Sequence, residues 1–396
     1  MQYVLLCLGG AEAEVATLLA GALAGYSCAV TVLPPSAAEA RLGVAPGATG
    51  VGKVLVTTAA PPEELLRLRC VQGVLALVAV GRVGDTVDEV AKEMQGAMAT
   101  NFTPALDVWR HCQCNASTVL TFRVSCLRGG AAHAFNSVEL SGRLGASLLS
   151  TYPTLLKVDL VEHDVEVLAI VYGQKILVGL TLGVLDDCAK TATTKRKPPS
   201  ESHRLPYAAR PQREFALRPS TAAVLAHFAQ LQPGEVVLDP MCGMGTIPIE
   251  AAIGFPVYAV GGDIDSGAVN GEMRAHVTSL AQHAPNAVVD ALVWDSTLAN
   301  LRPNCIDAVI VDAPFGLKCG KWAQLEKLLR ATVQQTSRLL RPGGRALFLV
   351  HSFKKFRNWY RPANWLDVYE QPLNIGGLVA HLVIMHKPHT APSARL

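Results

Sequence analysis

Five short apolar runs in the second half of the chain, Val236 to Leu238, Val257 to Gly261, Ala291 to Trp294, Ala308 to Val311 and Arg345 to Val350, each read as a strand. The stretches between them are long enough for crossover helices. A chain that alternates in this way has one compact solution, a parallel sheet with helices on its faces, here doubly wound. No solenoid-type repeat is present.

Two smaller α/β sets precede that sheet. The first alternates strands such as TyrValLeuLeuCysLeu from Tyr3 and LysValLeuValThr from Lys53 with Ala/Leu/Glu segments of helical character. The second has strands near Thr118 to Cys126, Asp164 to Val171 and Ile176 to Leu182 around a helix from Ser137 to Leu149. Between about Asp186 and Arg213 the composition shifts to Lys, Pro, Thr and Arg, including LysArgLysProPro from Lys195, and this reads as a linker. A length of 396 residues suits two or three domains.

Half the residues are hydrophobic, yet no apolar stretch reaches the roughly 18 residues of a membrane helix, so no membrane is expected. The start, MQYVLLCLGGAEAEV, has no positive n-region, and its apolar run is soon followed by Glu, unlike a secretory signal. Ten cysteines without metal-ligand spacing suit a reducing compartment, and the cytoplasm is expected, with the nucleus as the alternative. Cys112 and Cys114 are read as plain thiols and no metal is expected. A net charge of +3 leaves any nucleic-acid affinity to local basic patches.

The most informative segment runs from Val236 to Thr246, an apolar strand entering a glycine loop and then a helix from Ile247 to Ala252. Gly243 and Gly245 remove side chains where a ligand must approach the backbone, and the helix start offers free amides. Pro248 stands where a dinucleotide fingerprint wants its third Gly, and no GKS or GKT follows, which weakens NAD and ATP. Asp239, four residues before Gly243, suits a cationic amino-acid ligand. The next strand ends in GlyGlyAspIleAsp, where Asp263, and after it Asp265, can accept ribose hydroxyls. The third ends at Trp294 and Asp295, where an acceptor can receive an adenine amino group and flanking residues can pack on its ring. The loop resembles the first motif of class I methyltransferases, and the acidic strand ends follow in register.

The fourth strand delivers Asp312, Ala313, Pro314, Phe315 and Gly316. This matches the D/N-x-P-F/Y pattern of amino-methyltransferases. Asp312 and the Ala313 to Pro314 carbonyls can hold an exocyclic amine in line with a sulfonium methyl, and Phe315 can stack the base. A cytosine-C5 enzyme needs a Pro-Cys pair, but Phe315 follows Pro314 and Cys319 lies four residues further on. Basic and aromatic residues interleave in SerPheLysLysPheArgAsnTrpTyrArg from Ser352, a composition that can neutralise phosphates and stack bases, or equally cover a sheet edge.

Taken together, these motifs resemble the THUMP-domain tRNA guanine-N2 methyltransferases. Further segments carry the resemblance: PheArgValSerCysLeuArgGlyGlyAlaAlaHisAlaPheAsnSer from Phe122, AlaLeuArgProSerThrAlaAla from Ala216, and AsnIleGlyGlyLeu from Asn374. The resemblance implies a ferredoxin-like α/β unit over 1–98, a THUMP RNA-binding module over 99–186, the linker over 187–215 and a Rossmann-like class I methyltransferase domain over 216–390. It implies S-adenosylmethionine as cofactor and N2-methylation of a guanosine in the tRNA acceptor stem. The cofactor set it implies adds Ser220, Pro240, Cys242, Thr246, Ile264 and Ser296, and the RNA-facing set is Arg123, Arg128, His133, Arg218, Lys318 and Lys321. A small zinc-binding activator subunit is implied for eukaryotic members. The alternatives are N2-methylation of a small nuclear RNA, adenine-N6 methylation, whose amine the same site handles equally well, and a noncatalytic RNA-binding scaffold.

Overall fold

A computed structural model describes residues 1–33, 51–129, 133–184, 217–298, 300–314, 322–375 and 378–389. The linker expected over 187–215 lies outside them. The chain divides into two units, Met1–Leu205 with Asn374–Leu378, and Pro206–Leu373 with Val379–Leu396.

The first unit contains β1 (Gln2–Leu8), α1 (Glu12–Ala22), β2 (Cys28–Val32), β3 (Val51–Thr58), α2 (Pro62–Leu66), β4 (Val71–Arg82) and α3 (Val87–Gln113). It continues with β5 (Leu120–Gly129), α4 (Ser137–Thr151), β6 (Leu156–Val158), β7 (Val165–Tyr172) and β8 (Lys175–Val184). The eight strands form one sheet in the order β2-β3-β1-β4-β8-β7-β5-β6. The two sets expected as separate modules therefore share a sheet, joined where β4 pairs antiparallel with β8 from Gly73 opposite Val184 to Arg82 opposite Lys175.

The boundary expected after residue 98 falls inside α3. A capping box starts that helix: the Thr86 hydroxyl accepts from the Glu89 N–H, and the Glu89 carboxylate accepts from the Thr86 N–H. Buried Val90, Met94, Met98, Phe102, Leu106 and Trp109 then repeat at helical spacing, so the apolar face runs unbroken through Met98. A second capping box, Asn136 with Glu139, starts α4, whose Leu140, Leu144 and Leu148 are buried.

The second unit contains α5 (Pro219–Phe228), β9 (Val236–Asp239), α6 (Thr246–Gly254), β10 (Tyr258–Asp263), a π-helical turn (Ala268–Met273) leading into α7 (Arg274–His283), and β11 (Val288–Val293). A 3-10 turn (Ser296–Leu298), β12 (Ile306–Asp312), α8 (Trp322–Leu339), β13 (Leu340–Val350), α9 (Phe353–Phe356), β14 (Asp367–Ile375) and β15 (Leu378–His386) follow. The strand order is β11-β10-β9-β12-β13-β15-β14. The first five are parallel, as the sequence predicts, and β15 runs antiparallel to β13. β11 begins three residues before its predicted start, and the sequence reading contains neither β14 nor β15. β14 is polar and its outer half is mostly exposed, so it offers no apolar run to read. Among the described residues no helix is long and apolar enough to cross a membrane.

Leu238, Val309, Val311, Phe348 and Phe356 form part of the core under this sheet. Beside it, Arg345 clamps Glu235 with two bonds, Nη1 to Oε1 at 2.8 Å and Nη2 to Oε2 at 2.5 Å, and donates to the carbonyls of Ala229 and Gln230. A bidentate pair this shielded loses more on truncation than an exposed one. Arg345→Ala is expected to cost about 2 kcal/mol in urea unfolding near neutral pH. Burial alone would raise Glu235, but the Arg345 contacts outweigh it and hold the carboxyl below its ordinary value. The stability the pair supplies is thus present above the usual glutamate range and lost as pH falls through the lowered value. The gap between wild type and Arg345→Ala should close on acidification, and a gap independent of pH would remove Glu235 from the account.

Candidate active site

The sheet reverses its direction of winding between β9 and β12, which pair from Val237 opposite Ala308 to Leu238 opposite Val309. Ligands of open α/β sheets bind outside the carboxyl ends at such a switch point. Asp239 ends β9, Asp312 ends β12 and Asp263 ends the adjoining β10.

The loop after Asp239 is shaped by backbone conformation. Gly243 and Gly245 have φ of 52° and 82°, the left-handed region that side chains rarely tolerate. A Cβ on Gly245 would also sit 2.6 Å from Met273. Asp263 ties the loop down: its Oδ2 accepts from the Gly243 N–H at 2.8 Å and its Oδ1 from the Asp265 N–H at 2.9 Å. Each carboxylate oxygen retains a second lone pair for a ligand hydroxyl.

The strand ends form an acidic cup. Asp239 is buried and accepts from the Met241 N–H at 3.0 Å. Burial raises its carboxyl well above the usual range, and neighbouring Asp312 and Asp263 push the same way against that hydrogen bond. Burial likewise pushes Asp312 up to about 7, and its carboxylate makes no hydrogen bond with a described residue. A buried carboxyl raised by burial and by two acidic neighbours suits a cationic ligand, which relieves the repulsion.

Other expected residues divide by what their side chains touch. Ile264 is 74% exposed beside the loop, free to cover a flat ring. Asp295 accepts from the Thr297 N–H and hydroxyl, which lower its carboxyl, and this holds it as the cap of the following turn. Asp265 likewise accepts from the Gly267 and Ala268 N–H groups. Pro240 belongs to the loop itself, Thr246 is the first residue of α6, Arg218 is the N-cap residue of α5, and Ser220 is buried on α5. Two side chains are corrected. The Cys242 thiol turns into the core, 3.6 Å from the Met273 sulfur, and burial raises its pKa, so only its backbone can meet a ligand. The Ser296 hydroxyl is buried against the Thr332 hydroxyl at 3.0 Å.

Sequence reasoning gave Trp294 no part in holding the loop. Its Nε1–H donates to the Pro240 carbonyl at 3.1 Å, bracing the glycine loop from the β11 side. The ring passes so close to β10 that a Cβ on Gly262 would lie 2.0 Å from Nε1. The paired glycines before Asp263 were the signal for this close approach.

Beside the end of β12, Ala313 and Pro314 wall a small recess with Val350, His351, Lys355 and Trp359. Phe315, Lys318 and Lys321 lie outside the described residues.

In the first unit, Arg123 is corrected from an RNA contact to a structural residue. It is shielded with Glu166, donating to Oε1 from Nη2 at 3.0 Å, and the Ser125 hydroxyl donates to the same oxygen at 2.7 Å. Arg128 is exposed and donates to the Phe135 carbonyl. His133 stacks on Phe135 at 5.6 Å, and burial, then Arg128, lowers its pKa. Burial pushes the Cys112 thiol up to about 12, while Cys114 is exposed at the end of α3.

Residues 209–381 match the UPF0020 family model, described as an RMKL-like methyltransferase domain. The chain is 29% identical over 281 residues to the Bos taurus tRNA (guanine(6)-N(2))-methyltransferase THUMP3, covering 68% of this chain and 52% of that protein. It is 33% identical over 240 residues to the Thermus thermophilus tRNA (guanine(6)-N2)-methyltransferase, covering 58% and 62%. The crystal structure of TrmN from Thermus thermophilus shares the fold at a TM-score of 0.68 and 23% identity, over 98% of this chain and 99% of that one. The similarity to methyltransferases thus covers residues 209–381 by the family model and 68% of the chain by the THUMP3 relative. The chain spans about half the length of the THUMP3 relative it matches. The Rossmann-like fold shared with the TrmN structure accounts for the acidic strand ends and the glycine loop together.

Proposed function

We propose that this protein methylates the exocyclic N2 of a guanosine in a structured RNA, tRNA in the first instance, with S-adenosylmethionine as donor. The observation that carries the reading is the acidic cup of Asp239, Asp263 and Asp312 at three neighbouring strand ends around a loop with two positive-φ glycines. That donor set fits a ligand with an ammonium, a sulfonium and a ribose. Asp239 would hold the amino-acid end, Asp263 the ribose hydroxyls, Asp295 the adenine amino group and Ile264 the adenine face. Bound there, S-adenosylmethionine supplies an electrophilic methyl group.

The chain's own residues position the nucleophile. Asp312 and the Ala313 to Pro314 carbonyls accept hydrogen bonds from the guanine amine and aim its nitrogen, and Phe315 stacks the ring. As the N–C bond forms and the S–C bond breaks, the nitrogen must shed a proton. A carboxylate with a pKa of about 7 is matched to take it. The module carrying β5 to β8 presents the RNA, with Arg128 as its exposed cation and Arg218 at the edge of the catalytic domain. The compartment that goes with this reading is the cytoplasm, with the nucleus as the alternative.

Incubation of the protein with tRNA and labelled S-adenosylmethionine, with the small zinc-binding activator subunit added, should yield N2-methylguanosine on nucleoside mass spectrometry. N6-methyladenosine in its place would select the other amine, and binding of RNA without the cofactor would select the scaffold. Asp263→Ala should weaken S-adenosylmethionine binding in calorimetry by about 2 kcal/mol, since the ribose loses a charged acceptor and the Gly243 loop its tether. An unchanged dissociation constant would take Asp263 out of the site.

A further inference from the structure

We infer that the groove between α8 and residues 358–365 binds a second, unpaired nucleotide of the RNA, next to the one that is methylated. The inference rests on the proposed RNA substrate and adds a subsite to it. The groove encloses about 640 Å³ including its open mouth. Arg330 and Gln334 stand on the helix wall, and Asn358, Trp359, Tyr360 and Arg361 on the other.

Three features select a nucleotide. The cations are available: Arg361 is exposed and its guanidinium makes no hydrogen bond or ion pair with a described residue, while Arg330 spends one donor on Glu326 at 3.2 Å. No carboxylate lines the groove, so an anion meets attraction on both walls. The aromatic rings are fixed from behind, because Phe356 is fully buried and packs on Trp359 and Tyr360 at 5.4 and 5.8 Å between centroids. A pre-set ring beside free guanidinium and amide groups is the combination that stacks a base and holds its phosphate.

Position selects which nucleotide. Trp359 also lines the recess formed by Ala313, Pro314 and Val350. One indole therefore separates the groove from the catalytic loop, and a strand whose target base enters that loop passes a neighbour over Trp359.

The test is the affinity of a fluorescein-labelled tRNA transcript for the full chain, measured by anisotropy across a salt series. Arg361→Glu and Gln334→Glu, on opposite walls, should each weaken binding about tenfold, and Arg361→Glu should also lower the slope of log affinity against log salt by about one phosphate contact. Arg302→Glu makes the same charge change outside the groove and should cost less than threefold. Both groove variants should bind S-adenosylmethionine like wild type, which reports intact folding. Equal weakening by Arg302→Glu would reduce the effect to bulk charge and overturn the subsite. Wild-type RNA affinity in Arg361→Glu would overturn the subsite and leave the methylation reading standing, whereas a wild-type chain that binds no tRNA would overturn both.

Discussion

Asp312→Asn is expected to lower single-turnover methyl transfer by about a thousandfold while RNA affinity stays near wild type. The amide keeps the size of the side chain but offers the amine one acceptor in place of two and cannot take the proton. Its removal therefore acts where the new bond forms, on the rate and not on substrate binding. Three pH profiles should accompany the loss. Wild-type kcat/KM should rise through a pKa of about 7, where Asp312 ionises, and the variant should lack that step. Affinity for S-adenosylmethionine should also rise across the same interval, since a cation favours the charged cup. Stability runs the other way: a carboxyl raised in the folded state favours folding below its unfolded pKa and loses that contribution as pH climbs to about 7. Asp312→Asn should thus unfold at higher urea than wild type at pH 8 and show little difference near pH 4. A variant that keeps a tenth of the wild-type rate would remove Asp312 from the chemistry.

Gly262→Ala is expected to do the most damage of any single methyl group added to the second unit. The new Cβ would lie 2.0 Å from Nε1 and 2.2 Å from Cε2 of Trp294, deep inside contact distance. The indole must leave, and with it goes the bond to the Pro240 carbonyl that braces the glycine loop. Overpacking of this kind costs about 3 kcal/mol, and cofactor affinity should fall with it because the loop loses its support. Trp294→Phe on the Gly262→Ala background has no Nε1 to collide and should recover part of the stability in urea unfolding without restoring the Pro240 bond. If Gly262→Ala melts with wild type, Trp294 does not pack as described.

The parallel sheet and its cup were legible because strand ends, glycines and aspartates recur in a fixed order, and that order alone places Asp239, Asp263 and Asp312 at one edge. What sequence could not give was the direction of individual side chains. Cys242 and Ser296 lie in the loops expected to touch the ligand, yet one turns to Met273 and the other to Thr332. Arg123 has the residue type of an RNA contact, but Glu166 stands beside it on β7 in register, 43 positions later, and neutralises it. The aromatics after Ser352 divide the same way: Phe356 is core, while Trp359 and Tyr360 are held by it at the surface. Such choices depend on partners far away in the chain, which composition and periodicity do not register.

The pairing of β4 with β8 also bears on how the chain is made. Ribosomal synthesis delivers Gly73 to Arg82 about a hundred residues before their partners Lys175 to Val184 emerge. Until then β4, a run of mostly buried apolar residues, keeps one edge unpaired, a template for association with other nascent chains. Closure over so long a separation is slow. The N-terminal half should therefore be the part of the newborn polypeptide most dependent on chaperones, and a ribosome paused between residues 120 and 170 should expose it most.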